Sequence, residues 1–363
     1  MKFNWIFLVS LGAWSNAHAS VHLSQEAQVI DPAHAYLKQL SQDPELVIDH
    51  VNSLGYEVYG PVGLQASLEA RQVPFVLSEP VKNELAGKYP SAEESTQSVK
   101  DLAAKYPSLI SLIEIGKSKE GRSLTVARIT APSGQGAPLN LRPEFKYIAN
   151  MHGDEIVGRE MMVKLIADLA STYGKDIRIT QILNSTQVYI LNSMNPDGAT
   201  HRVRYNANGV DLNRSFPDFT TSDHENTTAG RESEIEAVMK FQAAHHFKLS
   251  ANFHGGSEVV NYPWDTQVDV FPLDNLAQKL SLDYAKRATY IYQSTEFKNG
   301  ITNGHAWYEI KGGMQDWSYN WHNDLQLTIE VTRAKYPGFE TVARTYQANR
   351  DSLLTLIEDI HQL

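Results

Sequence analysis

Residues 145–160, FKYIANMHGDEIVGRE, constrain the fold more than any other stretch. Phe145, Tyr147 and Ile148 form a short apolar run ending at Asn150, the pattern of a buried strand. Beyond it, Ile156, Val157, Met161, Leu165, Ile166 and Leu169 recur at near-helical spacing. A strand that passes into a helix within a few residues is the unit from which α/β sheets are built. The junction opens into the crevice beyond the strand's carboxyl end. His152 and Glu155 stand at that junction. An imidazole and a carboxylate three residues apart can close on one zinc ion. H-x-x-E is also a common polar surface turn, so the rest of the chain has to decide.

From about residue 87 the alternation continues. EESTQSVKDLAAKYP and ESEIEAVMKFQAAH read as helices. LISLIEIGKS, LTVARITAP, STQVYILNSMNPDG, LSANFHGG and LQLTIEV read as strands, the last two buried in a sheet. In TVARTYQANRDSLLTLIEDIHQ, Val342, Tyr346, Leu353, Leu354, Ile357 and Ile360 share one helix side. The expected fold is α/β, a mixed and largely parallel central sheet flanked by helices, spanning residues 87–363. Residues 20–86 read as a small N-terminal α/β appendage. There DPAHAYLKQL places Asp31 and Pro32 at a helix start, GYEVYG and VPFVLSE suit strands, and LQASLEAR suits a helix. No His, Asp or Glu cluster suited to chemistry stands out in it. A packing or folding module is the expectation, and a propeptide over the active site the alternative.

The first 19 residues, MKFNWIFLVSLGAWSNAHA, resemble a secretory signal peptide. Lys2 gives a positive start, Ile6 to Trp14 an apolar stretch, and Ala17-His18-Ala19 a small-x-small cleavage site before Ser20. That stretch is too short to span a bilayer, and no later segment is long enough. The chain has no cysteine, so export without disulfides points to a bacterial periplasm or a secreted protein. At 363 residues, 42% hydrophobic and 20% charged, it has the makings of a soluble globular protein. The net charge of -10 and the lack of a basic run argue against a nucleic-acid partner.

Polar residues crowd four further stretches. His254 closes LSANFHGG, whose glycines let backbone approach closely; beside His152 and Glu155 it would complete a three-ligand zinc set with one position open. VRYNANGVDLNRSFPD concentrates Arg204, Asn213 and Arg214. Guanidinium groups suit capture of a carboxylate and stabilisation of an oxyanion, although lone arginines are more often solvated. Asp211 could orient a ligand histidine by accepting its second ring N–H. Tyr308 precedes the Gly312-Gly313 turn, as a loop over a site would require, or is a packed aromatic. Glu330 lies among Leu325, Leu327, Ile329 and Val331, where a carboxylate is costly unless paired or working as a general base.

Taken together, NMHGDEIVGRE, SMNPDG, NANGVDLNRSFPD, SANFHGGSEVVNYPWD and ITNGHAWYEIKGGMQDW followed by TIEVTRAKYP resemble the zinc metallocarboxypeptidases, most closely their regulatory N/E-type subfamily. The resemblance covers roughly residues 87–363. It implies one zinc per chain, held by His152, Glu155 and His254. Arg204 matches the arginine that polarises the scissile carbonyl. Asn213, Arg214 and Tyr308 match the residues that hold the substrate's terminal carboxylate, and Glu330 matches the catalytic glutamate. Asp265 matches the acidic residue at the base of the specificity pocket, which implies a preference for C-terminal Lys or Arg. Gln315 falls where the pancreatic enzymes set their preference and carries no charge, so Asp265 is expected to act nearly alone.

The chain departs from the subfamily in ending before its usual β-sandwich domain, in Thr332-Arg333, and in His305 beside Tyr308. The reaction implied is release of one residue from peptide or protein C-termini. Two rival readings are a carboxypeptidase of peptidoglycan stem peptides and a pseudo-enzyme that binds peptide termini without cutting them.

Overall fold

A computed structural model describes residues 22–77 and 89–363; the leader expected at residues 1–19 lies outside them. Two sheets organise the described residues. The larger is built from β5 (Ile110–Lys117), β6 (Ser123–Ile129), β7 (Glu144–Ala149), β8 (Gln187–Leu191), β9 (Phe247–His254), β10 (Ser257–Tyr262), β11 (Ile301–Asn303) and β12 (Leu325–Thr332), once the strands β1 (Gln25–Ile30), β2 (Val47–Asn52), β3 (Gly55–Gly60) and β4 (Phe75–Leu77) of the smaller sheet are counted first.

The large sheet runs β11-β10-β12-β9-β7-β8-β6-β5. Its centre, β12-β9-β7-β8, is parallel, and antiparallel pairings at β10–β12, β8–β6 and β6–β5 make it mixed. Alternation along β7 explains why both faces carry helices. Phe145, Tyr147 and Ala149 join one core with Met161, Leu165, Ile166 and Leu169 of the helix Val157–Thr172. Ile148, pointing the other way, joins Ile235, Val238 and Met239 of the helix Ser233–Ala243. Each such buried side chain contributes about 1.5–3 kcal/mol. The long helix Glu340–Asp359 adds Leu353, Leu354 and Ile357 to the first core. The mixed sheet flanked by helices expected from the sequence is the fold observed.

The parallel centre aims the carboxyl ends of β7 and β9 into one crevice. His254 ends β9 and lies opposite Glu330 on β12. Asn150, just past β7, takes φ 56°, a left-handed conformation that asparagine tolerates better than most residues. That break ends the strand and turns the chain toward His152.

The smaller sheet is antiparallel, in the order β2-β3-β1-β4, around Ala27, Val29, Ile48, Tyr56, Val58, Leu64 and Leu68. Its first helix starts at Leu37, not at Asp31 and Pro32. The Asp31 carboxylate instead accepts from the backbone N–H groups of Ala35 and Tyr36 and from the Tyr56 hydroxyl, fixing the turn before the helix. Between Asp49 and Asn52 the register of β2 against β3 slips, and His50, within the slip, has φ 47°. This bulge turns the Asp49-His50 end of the hairpin toward the crevice.

Candidate active site

Three side chains meet at the head of the crevice. His152 Nδ1 lies 2.8 Å from Glu155 Oε1 and 3.0 Å from His254 Nδ1, and His254 Nδ1 lies 2.8 Å from Glu155 Oε2. All three residues are buried, and their ligand atoms fall within 4.8 Å of one another. Two imidazole nitrogens facing each other across 3.0 Å cannot both donate, so this arrangement wants a cation between them. The donor set, two nitrogens and a carboxylate with no thiolate, fits a zinc site that keeps one position for substrate. Behind it, Asp211 Oδ1 sits 3.2 Å from His152 Nε2 and fixes the ring orientation. The Asn150 amide reinforces the turn by donating to His152 O at 2.8 Å.

Arg204 is buried next to this cluster. Its Nε donates to Asp211 Oδ2 at 2.8 Å, and its Nη1 lies 3.1 Å from His152 Nδ1. Nη2 is buried without a partner among the described residues, an unspent donor beside the metal-ligand cluster. Glu330 Oε2, across the crevice, is likewise buried and unpartnered among the described residues. Arg214 and Tyr308 stand further along. Asn213 is tied down, its N–H on Asp211 Oδ1 at 2.8 Å and its Oδ1 accepting from Met314 N–H at 2.9 Å.

Contrary to the expectation that residues 20–86 bring no suitable cluster, Asp49 and His50 reach into this site and form a second possible ligand group with Glu155. Asp49 pairs with Arg204 and accepts a hydrogen bond from the Tyr308 hydroxyl at 2.8 Å. Burial alone would raise its carboxyl, but Arg204, His50 and Lys335 hold it well below the usual range. Burial would likewise depress His50, and the Asp49 and Glu57 carboxylates raise it well above an ordinary imidazole. The cue was present in VIDHVN, two ionisable residues inside an apolar run.

Asp265 lies at the other end. Its Oδ1 accepts from Asn261 Nδ2 at 2.9 Å and from Gln315 Nε2 at 3.1 Å. It is not alone, as its sequence position had suggested. Asp316 Oδ2 accepts from the backbone N–H groups of Asp265 and Thr266, each at 2.9 Å, and Asp218 Oδ2 accepts from Thr266 Oγ1 at 2.9 Å. Burial, with Asp218 adding to it, pushes Asp265 up to about 6, and burial with the neighbouring Asp265 pushes Asp316 well above the usual carboxyl range. Asn261 Oδ1, Gln315 Oε1 and Asp316 Oδ1 are buried acceptors without a partner among the described residues. Gly304 makes room for this, since a Cβ there would meet Asp265 Oδ1 at 1.5 Å. His305 follows it and donates its N–H to Trp264 O at 2.8 Å.

Known proteins resemble this chain in sequence and in fold. A family model described as zinc carboxypeptidase matches residues 95–352. The chain is 39% identical over 284 residues to mouse carboxypeptidase D, covering 72% of this chain and 20% of that protein. It is 38% identical over 309 residues to mouse carboxypeptidase M, covering 78% of this chain and 68% of that protein. For the human carboxypeptidase N catalytic chain the identity is 36% over 300 residues, 70% of this chain and 65% of the other. The chain thus spans about a fifth of the length of the carboxypeptidase D relatives it matches. In fold it is similar to thrombin activatable fibrinolysis inhibitor, with a TM-score of 0.71 at 17% identity over 93% of this chain and 99% of that one. Carboxypeptidase A of Helicoverpa armigera gives 0.71 at 19% identity over 94% and 98%. These shares exceed what residues 89–363 make up, so the likeness in fold reaches into the smaller sheet. With the sequence match running through every strand that ends at the crevice, the chain belongs to the zinc carboxypeptidase family.

Proposed function

We propose that this protein is an exported zinc metallocarboxypeptidase that releases single residues, preferentially Lys or Arg, from peptide C-termini. The observation that carries the reading is the convergence of His152 Nδ1, Glu155 and His254 Nδ1 beside the unspent Arg204 Nη2 and Glu330 Oε2. Zinc held by those three residues would supply Lewis acidity to the scissile carbonyl and lower the pKa of water. In our assignment Glu330 takes the proton of the attacking water and returns it to the leaving amine. Arg204 donates to the oxyanion as it develops, from a buried position where such a donor acts strongly. Arg214, Tyr308 and Asn213 hold the terminal carboxylate, which an internal peptide bond lacks, and so confine cleavage to the end of the chain. Asp211 keeps His152 and Arg204 oriented.

The acceptors around Asp265 support the preference for basic residues. The Asp265 carboxylate and the unpartnered oxygens of Asn261, Gln315 and Asp316 are the acceptors that an ammonium or guanidinium would use. An apolar side chain would leave all of them unpaired, which a buried site tolerates poorly. Export rests on the first 19 residues and their cleavage pattern. We assign catalysis to residues 87–363 and treat residues 20–86 as a separate unit, because the smaller sheet has its own core.

The test is amino-acid release from matched peptides ending in Lys, Arg, Phe or Leu, before and after chelation and zinc addition. Zinc-dependent release of Lys or Arg is expected. Release of Phe or Leu instead would overturn the pocket assignment, and no release with one zinc bound per chain would overturn the activity.

A further inference from the structure

The two central strands β9 and β12 are two-faced, although both faces are covered. One face carries Leu249, Ala251, Phe253, Leu327 and Ile329, all in the main core. The other carries Ser250, Asn252 and His254 on β9 and Gln326, Thr328 and Glu330 on β12, every one of them buried. Alternation of this kind marks a strand with one face in water. Here the polar face is shut in by the helix Met314–His322, which packs on β12. A buried polar face needs partners for every donor and acceptor on it.

The register sorts these side chains into layers. Glu330 lies opposite His254, Thr328 opposite Asn252 and Gln326 opposite Ser250. Thr328 also lies opposite Asn261 of β10, whose amide donates to Asp265. The layer beneath the zinc ligand and the base is thus the floor of the proposed specificity pocket. Below it the hydrogen bonds continue. The Asn252 amide donates to Thr328 Oγ1 at 3.1 Å and to Gln326 Oε1 at 2.9 Å. Gln326 Nε2 donates to Ser250 Oγ at 3.1 Å, and Ser250 Oγ to Asp324 Oδ2 at 2.9 Å. Lys146 Nζ ends the row, 3.1 Å from Asp324 Oδ2.

This row leaves four polar atoms over. Asn252 Oδ1 and Asp324 Oδ1 on the sheet, and Ser318 Oγ and His322 Nε2 on the helix, are buried without a partner among the described residues. Gln315, Ser318 and His322 are spaced i, i+3 and i+7, so they share the side of the helix from which Gln315 reaches Asp265. The Asp324 N–H donates to Ser318 O at 3.2 Å, which brings that side against the end of the row. Burial, and Lys146 after it, lower the pKa of His322 and leave a neutral ring beside the Lys146–Asp324 pair. Four orphans along one seam are costly in a dry core. Mixed donors and acceptors beside a polar row suit water, which makes about three hydrogen bonds where it is buried. A metal cation suits it less, because Lys146 already supplies the positive charge that faces Asp324.

We propose that the seam between the helix Met314–His322 and strands β9 and β12 binds a row of ordered waters, running from the floor of the Asp265 pocket to the Lys146–Asp324 pair, and that these waters complete the hydrogen bonds of a basic side chain in the pocket. The inference rests on the carboxypeptidase reading above and deepens its pocket. An ammonium brings three donors and a guanidinium five, more than one carboxylate takes up. Waters anchored below supply the remaining acceptors without opening the pocket to bulk solvent. An apolar side chain draws nothing from them.

The experiment compares the full, zinc-loaded chain with Ser318→Val, which exchanges the hydroxyl for methyl groups on the helix side of the seam. In a high-resolution crystal structure of the parent, ordered waters are expected within hydrogen-bond distance of Ser318 Oγ, Asn252 Oδ1 and Asp324 Oδ1. In the variant the water at position 318 is expected to be displaced. The ratio of kcat/KM for Lys over Leu peptides should then fall about two- to ten-fold, the worth of one hydrogen bond, with Leu release unchanged. Ser318→Ala removes the hydroxyl without adding bulk, should the Val variant fail to fold, and should lower the ratio in the same direction. A packing defect would slow both peptides together and leave the ratio where it was. That result, or a parent seam without water at these atoms, overturns the proposal and leaves the carboxypeptidase reading standing. If the parent releases no residue with one zinc bound per chain, the carboxypeptidase reading falls and takes the role of the seam with it.

Discussion

Asp49 and Asp265 are the same residue type at the same depth, each 3% exposed, at opposite ends of one cleft, and their surroundings drive them in opposite directions. Burial raises both. Around Asp49 it is overcome by Arg204, with His50 and Lys335 behind it, so the carboxyl stays well below the usual range. Around Asp265 the hydrogen bond from Asn261 and the more distant Arg214 do not overcome burial, and the group is pushed up to about 6. A carboxylate that burial wins over is one whose cation is missing. Asp49 is paired with Arg204, whereas Asp265 accepts only from the neutral amides of Asn261 and Gln315 among the contacts described above. The difference sets a carboxylate already paired within the chain apart from one held by amides, as the proposed pocket for a basic side chain requires.

The largest effect tests whether both ends serve one reacting bond. Glu330→Gln is expected to lower kcat about 10²–10⁴-fold, the usual contribution of a positioned general base, while leaving the Kd for a Lys-terminal peptide unchanged. A parallel loss of binding would mean that Glu330 holds substrate and does not act as the base.

Asp265→Asn comes next. Removing one partner of a buried ion pair costs about 3–5 kcal/mol, so kcat/KM for Lys or Arg peptides should fall about 200- to 5,000-fold. Release of Leu should change little. Because the substitution also removes a charge facing Asp316 and Asp218, thermal stability should hold or rise. A variant that unfolds would show that Asp265 is structurally satisfied after all, like Asp49.

The same carboxyl predicts a pH dependence. With Asp265 at about 6, it is mostly neutral below that pH and charged above it. A Lys side chain stays cationic throughout this range, so the pairing gains as pH rises. The ratio of kcat/KM for Lys over Leu peptides should climb roughly ten-fold between pH 5 and 7, since shared catalytic ionisations cancel in the ratio. A flat ratio would mean that Asp265 is ionised at both values.

The sequence carried the metal end of the cleft further than the hairpin end. His152, Glu155 and His254 sit where apolar periodicity breaks at strand ends, and local pattern alone locates such breaks. Glu330 was found because an acid inside LQLTIEV has to be explained. The same argument applied to VIDHVN would have singled out Asp49 and His50, but β2 was not recognised as a strand. Its burial on both faces erases the alternation that marks a half-exposed strand, and that burial comes from docking against residues far along the chain, such as Trp307 and Lys335. Asp218, Asp316 and Asn261 escaped for a related reason. None lies in a telling local pattern, and they meet only because the turn after β10 packs on the helix Met314–His322.

The smallest effect concerns how the β2–β3 hairpin is held. Trp307→Phe keeps an aromatic ring against Phe297 and Tyr308 but removes the indole donor to Val51 O. Losing a single such bond should cost about 0.5–1.5 kcal/mol, with a buried carbonyl left short of a partner. Asp49 would keep Arg204, Arg214 and Tyr308, so the hairpin should remain seated while opening more often. Hydrogen exchange at residues 47–60 is therefore expected to quicken by roughly two- to ten-fold, with global stability barely moved. Asp265→Asn should leave that exchange unchanged, because the side chains that donate to Asp265, Asn261 and Gln315, lie outside the hairpin. Equal acceleration in both variants would mean that the two ends of the cleft open as one unit, and that Asp49 and Asp265 report on a shared motion, not on separate environments.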